Sequence, residues 1–111
     1  MGYSKEFDAT KITVPKFLLL GDWEDVSWHN EVCPRFNSER FGLAVWVDYD
    51  DPAERELNCI DQPGEWKKYT VVQLIQTDNN EFELADDTLI SFEDAAQLEN
   101  WLENYIAEKG L

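Results

Sequence analysis

Alternation of apolar and polar positions is clearest over Phe41–Tyr49, where Phe41, Leu43, Val45, Val47 and Tyr49 interleave with Gly42, Ala44, Trp46 and Asp48. A period of two sends the two sets to opposite faces and predicts a strand. Tyr69–Gln76 is a run rich in Val, Thr and Ile and reads as a central strand. Asp78-Asn79-Asn80 then supplies turn chemistry, and Glu81–Ala85 returns as the second arm of a hairpin. Near the C-terminus the period changes. Ala95, Leu98, Trp101, Leu102, Tyr105 and Ile106 recur at helical spacing, with Ser91 as N-cap, Asp94 three residues later, and Gly110 as the stop. This reading places Glu93 and Asp94 in the first helical turn, where the macrodipole favours acids.

Other segments are less regular. Ile12–Leu20 has Pro15 inside an apolar stretch, which predicts an edge strand or an extended segment. Asp22–Phe36 fits either a strand lined by Val26, Trp28 and Val32 or a short helix carrying Trp23 and Val26. Asp51-Pro52-Ala53-Glu54 matches a helix start, and Gln62-Pro63-Gly64 a turn. Residues 1–11 have no period and read as a flexible N-terminal arm, leaving 12–111 as a single domain. Several strands followed by one helix predict an α+β fold. Its antiparallel sheet has about four to five strands, with the long C-terminal helix packed on one face. Trp46 and Trp101 are expected on faces that pack together.

Charge changes the picture more than composition does. The chain has 24 acidic and 9 basic residues among 111, a net charge of −15. With 43% apolar residues it is still able to build a core. That balance excludes direct nucleic-acid binding and adhesion to anionic membranes, because the phosphates repel it. The apolar run Phe17–Leu20 is far too short to span a bilayer. The first residues show no basic segment leading into an apolar core, which predicts a cytoplasmic location. Cys33 and Cys59 then read as reduced thiols.

From Tyr69 to Glu108 there is no Lys or Arg, while ten acids occur. Capping, turn geometry or strand alternation accounts for several of them. Glu99 and Glu103 are different: they form a like-charge i,i+4 pair that costs roughly 0.2–0.5 kcal/mol. Carboxylates at helical and alternate-strand spacing lie about 5–7 Å apart, so a folded acidic face can imitate a row of phosphates.

The sequence therefore predicts a small inhibitor that presents a nucleic-acid-mimicking surface to a basic protein, a nucleic-acid-binding protein or nuclease. By charge and size this matches anti-restriction, anti-CRISPR and nuclease-immunity proteins as classes, phage proteins among them. The candidate partner-binding residues are Asp48, Asp50, Asp78, Glu81, Glu83, Asp86, Asp87, Glu99 and Glu103. The alternative is an interaction domain that is acidic for solubility and anchored by exposed Trp23, Trp28 or Trp66.

Enzymatic patterns are weak. Asp48 or Asp50 with Glu65-Trp66-Lys67 faintly matches a metal-nuclease site, but the net charge would repel its substrate. Asp48-Tyr49-Asp50-Asp51 begins like a calcium loop, yet Ala53 and Cys59 stand where Gly and Glu are needed, so only weak cation binding is expected. Pro34 directly after Cys33 argues against a helical His29–Cys33 pair. No catalysis, cofactor or metal is expected.

Overall fold

The computed structural model describes residues 10–19, 21–27, 34–51, 67–79 and 81–110, with 86–88 by backbone alone. A 3₁₀ turn, Lys16–Leu19, leads into five strands: β1 (Glu24–Asp25), β2 (Arg35–Ser38), β3 (Leu43–Val47), β4 (Tyr69–Gln76) and β5 (Phe82–Phe92). Helix α1 (Ala95–Lys109) follows. The strands lie in the order β1-β2-β3-β4-β5 and every pairing is antiparallel, so the sheet is a simple meander. The α+β fold with one C-terminal helix on a sheet face is the one the sequence predicts.

Register sorts the two faces. Val45 pairs with both Phe36 and Val71, and Val47 with Tyr69, giving one apolar face. Helix α1 packs on that face through Leu98 and Leu102, which join a core with Leu43, Val45, Val47 and Val71. Burying each leucine contributes about 1.5–3 kcal/mol. The opposite face carries Ala44, Val72 and Leu74, with Trp46 and Leu84 packed against them. Trp46 and Trp101 therefore lie in different clusters and do not pack together. The residue parity of β3 separates them: Trp46 is offset by one from the core-facing Val45 and Val47. Its ring instead lies beneath the Arg35 guanidinium, 5.2 Å from the centroid.

Several predicted boundaries shift. β3 begins at Leu43 and not Phe41, because Gly42 adopts φ 66° in a turn whose Ser38 Oγ accepts from Phe41 N at 3.2 Å. The helix begins at Ala95 behind Asp94. Ser91 is no cap, since it belongs to β5 and pairs with Thr70. Glu93 and Asp94 thus precede the first turn, which carries no acid. Gly110 does close the helix, at φ 71°.

Ile12–Leu20 gives no strand among its described residues. Pro15 O accepts from Leu18 N at 3.1 Å and starts the 3₁₀ turn instead. In Asp22–Phe36 the described residues form the two-residue β1 and the start of β2. The expected 78–80 turn is described at Asp78 and Asn79 only. Beyond it β5 runs to Phe92, well past the predicted Ala85. The 52–54 helix start, the 62–64 turn, and positions 1–9 of the arm lie outside the described residues.

Candidate binding surface

The β4–β5 hairpin tip bears Asp78, Glu81 and Glu83, all exposed and without an ion pair among the described residues. Thr77 N donates to Glu81 O at 2.7 Å and closes the turn that presents them. Glu83 pairs with Ile75, so both project from the sheet face that carries α1. Asp86 and Asp87 lie in β5 where the register slips. Between the Val72–Thr88 and Leu74–Leu84 pairs, β5 has residues 85–87 against the single Gln73 of β4.

Glu99 and Glu103 lie on the exposed side of α1, one turn apart, and border a groove of about 370 Å³. Its apolar lining comes from Phe17, Trp23, Phe41, Leu102 and Ile106, and Asp22 borders it from the strand side. Trp23 and Phe41 meet with ring centroids 5.8 Å apart. Asp22 is bonded by Arg40, Nη1 to Oδ2 at 3.0 Å, and the same guanidinium lies 5.5 Å from the centre of the Phe41 ring. Trp23 is half-buried and packed on the core, with its remaining surface on the groove. Trp28 and Trp66 lie outside the described residues, as do His29, Cys33, Cys59 and Glu65.

The two carboxylates at the end of β3 differ: Asp48 is buried, and Asp50 is exposed but held in an ion pair. Asp48 is 1% exposed, and its Oδ1 accepts from Tyr49 N at 2.8 Å. Asp50 is committed internally. Oδ1 accepts from Thr13 N at 2.9 Å, Oδ2 from Thr13 Oγ1 at 2.7 Å, and Lys68 Nζ lies 2.6 Å from Oδ1. Lys68 is itself 8% exposed and also donates to Thr13 O at 2.8 Å. The sequence placed both aspartates on the binding face because a strand end is normally solvated. Here Asp48 is buried, while Asp50 stays 42% exposed and is held by the segment around Thr13 and by Lys68. No group of three or more His, Cys, Asp or Glu among the described residues is placed to hold a metal.

Burial pushes the Asp50 carboxyl up, but the bonds from Lys68 and Thr13 outweigh it and hold the group below its ordinary 3.8. A carboxylate whose pKa falls on folding contributes stability that is complete above its ordinary value. That contribution is lost as pH drops through the lower, folded value. Asp50→Asn therefore leaves the Lys68 charge poorly matched. Because the Asp50 side chain is 42% exposed, solvent screening discounts the loss to about 1–2 kcal/mol. Denaturant melts at about pH 7 and about pH 3 check this: the gap between wild type and variant narrows in acid.

A second hollow, of about 500 Å³, lies on the other flank of α1, lined by Phe92, Trp101, Gln97, Asn100 and Asn104 among others. Trp101 stacks on Tyr105 at 5.1 Å and meets Phe92 at 6.2 Å. No helix among the described residues is long and apolar enough to cross a membrane. No protein-family model, curated protein or solved structure matches the chain.

The sequence reading missed the groove. Asp22, Phe41 and Glu103 are far apart in the chain, and only the i,i+3,i+4 spacing of Glu99, Leu102, Glu103 and Ile106 hinted that acids and apolar groups share one helix flank.

Proposed function

We propose that this is a small non-catalytic binding protein. It blocks the basic surface of a nucleic-acid-binding protein or nuclease by offering carboxylates where phosphates would sit. Anti-restriction, anti-CRISPR and nuclease-immunity proteins act in this way as classes. The observation that carries the reading is the exposed Glu99–Glu103 pair on α1, without a cation partner among the described residues, in a forty-residue stretch without one Lys or Arg. A fold that gained nothing from these charges would do better with lysine at either position. The exposed Asp78, Glu81 and Glu83 at the hairpin tip add further carboxylates to this reading, and Asp86 and Asp87 belong to it by their place in β5 alone. A cytoplasmic location fits such a target.

A second reading rests on Trp23 and Phe41 at the groove: a partner anchored by aromatic contact, with the acidity serving solubility. Salt separates the two. Partner recovered on the tagged protein should elute early in a salt gradient and be displaced by excess duplex DNA if carboxylates replace phosphates. Retention at high salt and indifference to DNA would favour aromatic anchoring and defeat mimicry.

A further inference from the structure

We propose that the groove between the 3₁₀ turn and α1 seats an amphipathic basic segment of the partner protein. Its apolar side chains would rest on Trp23, Phe41 and Ile106, and an arginine would reach Asp22, Glu99 or Glu103. This rests on the binding reading above and specifies where and by what chemistry the partner is held. The floor is apolar and aromatic, and carboxylates stand on both sides, Asp22 from the strand side and Glu99 and Glu103 from the helix. At about 370 Å³ the groove falls at the small end of the ~300–1,000 Å³ typical of ligand pockets. It takes a few side chains of a segment, with the rest of the contact outside.

The chain itself supplies a sample of the ligand. Arg40 holds its guanidinium against both the Asp22 carboxylate and the Phe41 ring, and its side chain remains 58% exposed. A carboxylate beside an aromatic face is the pairing that recognises arginine. On the opposite wall, Glu99 and Glu103 have no ion pair among the described residues, so an incoming cation turns their mutual repulsion into attraction. A second copy of this chain is disfavoured as occupant by the net charge of −15. A purely apolar ligand would leave Glu99 and Glu103 unused.

The probe is a synthetic helical peptide with leucines at i, i+4 and i+7 and arginines between them. Two control peptides replace the leucines by glycine or the arginines by glutamate. The full chain, labelled with ¹⁵N, is titrated with each, and affinity is read by fluorescence anisotropy. The arginine–leucine peptide should shift resonances of Phe17, Gly21–Trp23, Phe41 and Glu99–Ile106. The paired Glu99→Gln and Glu103→Gln variant should weaken it roughly tenfold, and Ile106→Asn should weaken it as well. Arg40→Ala should tighten binding roughly two- to fivefold, because the internal competitor for Asp22 is gone.

Equal binding of the glycine control, shifts confined to the hairpin around Glu81 and Glu83, or self-association through the groove would overturn the proposal. The two levels also separate. If the peptide does not seat in the groove, while partner capture remains DNA-sensitive and is lost on reversing Glu81 and Glu83 to Lys, the groove is wrong and mimicry stands. If the peptide seats as described while DNA leaves the captured partner in place, the groove stands and mimicry falls.

Discussion

Reversing Glu99 and Glu103 together to Lys is expected to lower affinity for a basic partner roughly a hundredfold, which corresponds to about 2.7 kcal/mol. Each reversal removes an attraction and installs a repulsion, and like-charge juxtaposition at an interface costs several kcal/mol when desolvated. The fold should not suffer. Both side chains are exposed, neither has an ion pair among the described residues, and the net charge moves from −15 to −11. Positive charge in the second half of a helix also suits its dipole. The melting temperature should therefore hold or rise slightly. Glu103→Lys alone is the more informative control, since it sets a lysine one turn after Glu99. Acid before base is the favourable order for such a pair, worth about 0.2–0.5 kcal/mol. Thermal melts and binding isotherms on the same samples check both halves. A collapse in stability would make the carboxylates structural and remove the main support for the binding surface.

The largest effect on the fold itself is expected from Leu98→Ala. Leu98 is 0% exposed and is the first fully buried residue of α1 in the main core. Truncating such a leucine costs about 2.7–5 kcal/mol, made up of lost transfer energy and the cavity left behind. Domains of this size hold only about 5–15 kcal/mol in total. The variant should lose about 10–20 °C of melting temperature, followed by circular dichroism. Because α1 forms one wall of the groove, loosening it should also weaken the basic peptide, although Leu98 does not line the groove. A loss below about 1 kcal/mol would mean that the helix is not held by this contact.

Periodicity made the sheet legible where local pattern and tertiary burial agree. Tyr69–Gln76 forms β4 with the bounds its β-branched run suggests. In β3 the alternation separated the two faces as observed, but the strand is two residues shorter at each end than predicted: Gly42, with its positive φ, moves the start to Leu43, and the ladder stops at Val47. The helix end was readable at Gly110, whereas its start was not, because Ser91 serves a strand ladder that no local pattern announces. The site was legible in part. Glu81, Glu83, Glu99 and Glu103 are exposed as expected, since spacing alone fixes the side of an element they occupy. Asp48 is buried against expectation, whereas Asp50 is exposed as expected but is held by Thr13 and Lys68, which are remote in sequence. Asp22 and Phe41 escaped notice for the same reason: their shared groove exists only once the strand side meets α1.

The meander has a kinetic consequence. Among the described residues each strand pairs with the next one along the chain, and the longest closure is the β3–β4 connection, whose extra length adds only slowly to the entropy cost. The Thr13 contacts are of another kind. They span 37 residues to Asp50 and 55 to Lys68. They hold down a strap that brings Ile12 and Leu18 onto an already paired sheet. That strap is expected to dock after the sheet has paired and to open before it. Its opening frees one side of the core without unzipping a strand. Amide exchange would then register it as a separate, lower-energy unit of unfolding, and acidification that protonates Asp50 would lower its threshold further.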